Sequence, residues 1–164
     1  MEMNRERIDA LAPLLAGLMA GEISLAQLVD LDAAQLAKIL NVAIAQLKVR
    51  RTDDAIEVLE ALVALDRRNY VFHLYLGLAH EQAKDFAAAR AAYDQMLACT
   101  KGRKDLSVQR CEGLILRGRV HALLGDVESA SADVAEARRH LPKDDAQLQR
   151  MLEDLSRVLG EVVQ

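Results

Sequence analysis

The stretch Tyr70–Leu97, YVFHLYLGLAHEQAKDFAAARAAYDQML, reads as two helical segments joined by a short polar turn, and its pattern recurs on both sides of itself. Leu76-Gly77, His80, Ala89 and Tyr93 set the frame. Moving back 34 residues gives Val42-Ala43, Gln46, Ala55, Leu59 and Leu62, with Ala43 in place of glycine. Moving forward 41 residues from Gly77 gives Gly118, His121, Ala130, Val134, Ala137 and Pro142. Two antiparallel helices approach closely only where side chains are small, so Gly77 and Ala89 are predicted to mark a crossing. A helix pair alone cannot bury its apolar face, and three stacked pairs begin to bury a continuous core.

The pattern resembles the tetratricopeptide repeat (TPR), with a seven-residue insertion before the third copy. The predicted fold is all-α: an α-solenoid of three TPRs with N-terminal helices and a C-terminal capping helix. Two prolines and eight glycines leave little room for long loops or β-hairpins. The chain divides as one TPR domain over 1–164: an N-terminal helical segment at 1–35, repeats at 36–69, 70–103 and 111–143, a loop at 104–110, and a capping helix at 144–164.

Local signals refine this. Ile8, Leu11, Leu15, Leu18 and Met19 make an apolar stripe that Pro13 interrupts or begins. That stripe must be hidden either on the first repeat or as a dimer contact with a second copy, and both readings stay open. Ser24, Asp32, Asn69 and Asp85 are predicted N-caps, Thr52 or Asp53 starts the second helix of the first repeat, and Gly125-Asp126 is a turn. Thr100–Gln109, TKGRKDLSVQ, is the most polar break and is expected to be a mobile loop ahead of a helix from about Val108. Leu148, Met151, Leu152, Leu155, Val158 and Leu159 share one face of the last helix, as the closing helix of a solenoid requires.

Charge and composition narrow the function classes. A net charge of −4 with both signs interspersed, two Phe, three Tyr and no Trp argue against nucleic-acid binding. No apolar run reaches the length of a membrane span, and MEMNRER is not a signal-peptide start, so the expectation is a cytoplasmic protein that does not insert into membranes. Cys99 and Cys111 are read as reduced thiols, with metal or redox chemistry the weaker alternative. No H-E-x-x-H, phosphate-binding glycine loop, G-x-S-x-G or metal-spaced cluster is present, so neither catalysis, nor a cofactor, nor a metal is expected. His80 and His121 occupy equivalent repeat positions, where they either approach each other or replace the usual tyrosine. His73 and His140 have no evident partner.

The informative surface is the concave one. Repeat positions 2, 5, 9 and 12 of each first helix are Ala37, Leu40, Ile44 and Leu47, then Val71, Leu74, Leu78 and Glu81, then Glu112, Ile115, Arg119 and Ala122. Most are aliphatic, and so much apolar surface should be covered by a ligand, a terminal helix or a partner. Leu40 and Ile44 stand where chaperone-tail-binding TPRs carry Lys and Asn, so a carboxylate would be repelled.

The lead-in GEISLAQLVDLDAAQL (Gly21–Leu36), the run TDDAIEVLEALVALDRRN (Thr52–Asn69), Phe72, Leu76–Leu78 and Gln82 together resemble the class II chaperones of type III secretion systems. The resemblance implies a bacterial cytoplasmic chaperone for hydrophobic secreted translocator proteins, with an extended client segment in the groove and a possible homodimer through the N-terminal region. Carried over by position, it implies groove residues Leu40, Ile44 and Leu47 with Leu59, His73 and Leu74 next to them; together with the repeat positions Ala37, Val71, Leu78 and Ile115 these make the expected peptide-binding groove. The family's aromatic groove positions are aliphatic here, which changes the pocket shapes offered to client proline. A chaperone for a needle or filament subunit and a general TPR scaffold are the alternative functions.

Overall fold

The computed structural model describes residues 13, 16–20 and 22–162. Ile8, Leu11 and Leu15 of the predicted dimer stripe lie outside them. Residues 16–20 are helical, and a short helix, α1 (Leu25–Leu28), follows. Three hairpins come next: α2 (Ala33–Lys48) with α3 (Thr52–Leu65), α4 (Tyr70–Gln82) with α5 (Phe86–Thr100), and α6 (Ser107–Leu123) with α7 (Val127–His140). The last helix is α8 (Ala146–Val162). No strand occurs among the described residues.

Helix starts follow short polar side chains. Ser24 with Gln27, and Asp32 with Gln35, form reciprocal capping boxes that satisfy two otherwise orphaned N–H groups each. Asn69, Asp85 and Asp126 each accept a backbone N–H from the first turn of the helix they open. Arg51, at the position equivalent to Asp85 and Asp126, has similar backbone angles but makes no side-chain cap bond.

The three hairpin turns are one motif. Arg50, Lys84 and Gly125 each take positive φ, of 60°, 62° and 80°. The next residue, Arg51, Asp85 or Asp126, then donates its N–H to the carbonyl of Gln46, His80 or His121, at 2.9 Å in every case. This is the left-handed helix ending that satisfies terminal carbonyls. Its recurrence at the spacings of 34 and 41 residues read from the sequence fixes the repeat register.

Each hairpin packs on the next, α3 against α4 and α5 against α6, and α8 closes the stack against α6 and α7. The core is correspondingly continuous. Leu36, Ala43, Leu59, Leu62 and Phe72 fill the first junction, Ala89, Tyr93, Met96, Leu116 and Val120 the second, and Leu114, Ile115, Val134, Leu148, Leu152, Leu155 and Leu159 the third. Burial of this kind stabilises by about 25 cal/mol per Å² of apolar surface.

Two expectations change. The space left by Gly77 is taken by the Tyr93 ring, against which any Cβ would collide; Ala89 is buried, but it is not what fills the notch. The polar run expected as a loop, residues 104–110, is a 3-10 turn at Lys104–Leu106 followed directly by α6. Thr100 is fully buried at the end of α5, with its hydroxyl donating to the Leu97 carbonyl. The insertion is thus absorbed by ordered structure at a junction between repeats, and the hairpin turns keep their geometry.

Candidate functional site

Register places the first-helix residues in four rows across the repeats. These are Ala37–Val71–Glu112, Leu40–Leu74–Ile115, Ile44–Leu78–Arg119 and Leu47–Glu81–Ala122. Over the first two repeats every row position but Glu81 is apolar and partly accessible: Leu40, Ile44, Leu47, Val71, Leu74 and Leu78 are all half-buried and Ala37 is exposed. A cavity of about 1030 Å³ opens at this end. Its walls are Leu36, Ala37 and Leu40 of α2, Val71 and Phe72 of α4, the 64–69 turn and the lead-in from Leu18 to Gln27.

Leu18 and Met19, two residues of the predicted dimer stripe, line that cavity. Leu18 is half-buried, whereas Met19 is 88% exposed. An unbranched thioether is flexible and polarizable, so its shape adapts readily to an apolar surface.

Three residues assigned to the groove from sequence lie inside the protein instead. Leu59 is 0% exposed in the core between α2, α3 and α4, His73 is 4% exposed, and Ile115 is 2% exposed beneath α8. His73 also has the partner that its sequence context did not reveal: its Nε2 donates to the Arg67 carbonyl at 2.9 Å, tying α4 to the turn before it. These side chains shape the groove from behind.

The third-repeat end is polar. The Tyr93 hydroxyl passes through the Gly77 notch and donates to Glu81, whose oxygens also receive Arg119 Nε at 3.0 Å and Nη2 at 2.8 Å. Burial first, and then the Glu81 charge, push the Tyr93 phenol far above its ordinary range, which keeps it a donor. Farther along, Arg117 bridges three helices, reaching Asp94 at 2.7 Å and Asp133 at 2.9 and 2.6 Å. His121 lies between Asp126, at 3.4 Å, and the buried Asp133, at 3.9 Å. Glu81 and Arg119 stand at groove positions where the sequence shows opposite charges, and that was the available signal for their pairing.

Nothing in this arrangement assembles a nucleophile with a base, and no group of three or more His, Cys, Asp or Glu that could hold a metal occurs among the described residues. Both cysteines are free. Burial pushes the Cys111 thiol up to about 11, where it donates weakly to the Ala137 carbonyl, and the Cys99 thiol is raised by the same cause. No described helix is long and apolar enough to cross a membrane. What the site can do is bind apolar surface.

Comparisons with known proteins agree with this architecture. A family model for the tetratricopeptide repeat matches residues 40–104. No curated protein sequence matches. Among solved structures, a type III secretion complex from Aeromonas hydrophila superposes with a TM-score of 0.77 at 19% identity, over 92% of this chain and 95% of that one. The Yersinia enterocolitica translocator chaperone SycD superposes with a TM-score of 0.71 at 16% identity, over 85% and 98%. PcrH, of Pseudomonas aeruginosa, solved with the chaperone-binding region of PopD, gives a TM-score of 0.68 at 20% identity, over 80% and 96%. The chain has the TPR solenoid fold, in the arrangement these structures share almost from end to end.

Proposed function

We propose that this protein is a bacterial cytoplasmic chaperone that holds an extended apolar segment of a hydrophobic type III secretion translocator and keeps it soluble before export. The observation that carries this reading is the open apolar band of Leu40, Ile44, Leu47, Val71, Leu74 and Leu78, continuous with the cavity beneath the lead-in. Contiguous apolar surface of this kind marks an interaction site. PcrH, with the same fold, has been solved with the chaperone-binding region of a client. Covering about 500 Å² of such a groove yields roughly 12 kcal/mol gross at about 25 cal/mol per Å². Ordering the client consumes most of that, which leaves micromolar affinity. The protein acts by binding and not by catalysis. The N-terminal stripe, Ile8 to Met19, supplies a homodimer contact in this account, with Met19 available to it.

Co-expression with a candidate translocator encoded near its gene tests the reading, by size-exclusion chromatography with light scattering. A soluble stoichiometric complex is expected, with the client insoluble alone. Leu40→Asp and Leu74→Asp should each lower client binding at least about a hundredfold, since each leaves a charge facing apolar surface. Both should keep their helical circular dichroism. Undiminished binding by both variants would remove the groove from the account.

A further inference from the structure

The apolar band does not run the full length of the groove, and its end has a charge. In the row Ala37–Val71–Glu112 the third member is a glutamate, half-buried on α6 one repeat beyond the cavity wall. Its neighbours leave it uncompensated. Arg119, the cation nearest in register, is held by both oxygens of Glu81, and no described residue forms an ion pair with Glu112. Behind it stands Asp145, whose Oδ1 caps α8 by accepting from the N–H groups of Gln147 and Leu148. Burial first, and then Asp145, raise the Glu112 carboxyl above its usual range. The Glu112 side chain is nonetheless half-buried and not sealed, so part of it meets solvent. Ile115, which would have continued the apolar band, is roofed by α8.

We infer that the segment held in this groove carries a lysine or arginine just beyond its apolar stretch, and that Glu112 receives it. This rests on the groove being a peptide site, as proposed above. A cation at Glu112 meets a half-desolvated carboxylate that lacks a partner, whereas an anion there faces Glu112 and Asp145 together. Spacing follows from geometry. Helices in contact lie about 8–10 Å apart and an extended chain advances about 3.3 Å per residue; α4 and α6 meet through side chains, in the Glu81–Arg119 pair, so about three residues is the shortest spacing between side chains over adjacent repeats. The basic residue therefore stands about three positions past the side chain that sits over Val71 and Leu74.

The test uses fluorescein-labelled peptides with leucine at every third position in a serine background. Each carries Lys, Ser or Glu three residues beyond the last leucine, at one end or the other, and binding is read by fluorescence anisotropy. At one of the two ends, the Lys peptide should bind about tenfold more tightly than the Ser peptide and the Glu peptide more weakly than either. In Glu112→Gln the advantage of the Lys peptide over the Ser peptide should disappear. In the wild-type protein the advantage should shrink from low to high salt. Equal binding of the three peptides at both ends would overturn the inference and leave the groove reading standing. An advantage that survives Glu112→Gln would assign it to another residue and overturn the inference too. If no peptide binds, the groove reading fails and takes this inference with it.

Discussion

The two ends of the inner surface are built from equivalent positions and behave in opposite ways. Over the first two repeats, register places Leu40, Ile44, Leu74 and Leu78 in half-open rows beside a large cavity. Over the third, the same positions hold Ile115 under α8 and Arg119 locked to Glu81. The contrast shows that a repeat position sets only which way a side chain points. What lies over it depends on the next element along, and here α8 roofs one end while the lead-in only borders the other.

Truncating the roof should give the largest effect. Leu152→Ala, at a buried α8 position, is expected to cost about 3 kcal/mol through lost transfer energy and a cavity, whereas Leu40→Ala, only partly buried, should cost about half as much. Urea denaturation compares them directly, and equal losses would erase the distinction between the ends. Tyr93→Phe probes the polar lock. Losing a hydroxyl bonded to a carboxylate should lower stability by about 1.5 kcal/mol, read from the same curves. In the first repeat the sign reverses: Arg51→Asn supplies the cap that Asp85 and Asp126 already provide elsewhere. A gain of about 1 kcal/mol in thermal denaturation is expected, less the small worth of the exposed Arg51–Asp54 pair.

The smallest effect depends on pH. Folding raises the Glu112 carboxyl above its unfolded range, so the folded state favours the protonated form. The penalty of keeping it charged is present at neutral pH and absent once the pH falls below the ordinary glutamate value of about 4.3. Glu112→Gln should accordingly stabilise by less than about 1 kcal/mol at pH 7 and by nothing at about pH 3.5, as melting curves at the two pH values would show. A gain that persists in acid would mean that the glutamine helps for a reason other than charge.

Much of the scaffold was legible in the sequence because its determinants are local. Asp32, Asn69, Asp85 and Asp126 open helices through bonds to residues two or three positions on, and the turns at Arg50, Lys84 and Gly125 recur at the repeat spacing. The run Thr100–Gln109 misled because polarity alone cannot separate a loop from the exposed face of a helix start. Its anchors, the buried Thr100 and the half-buried Leu106, are too few to show a period. The site was less legible for the converse reason. Whether Ile115 is roofed depends on Leu148 and Leu152, more than thirty residues away, and the Glu81–Arg119 bond spans 38 residues. Helical periodicity carries no information over such distances.

The Gly77 notch has an optical consequence. With no tryptophan and three tyrosines in the chain, near-ultraviolet emission comes from few groups, and one of them has its phenol bonded to a carboxylate on the inner surface. A molecule that draws Glu81 away from Tyr93 would alter the hydrogen bonding of a ring anchored in the outer layer of helices. Such a displacement would register in the intrinsic fluorescence of the protein, with no label attached.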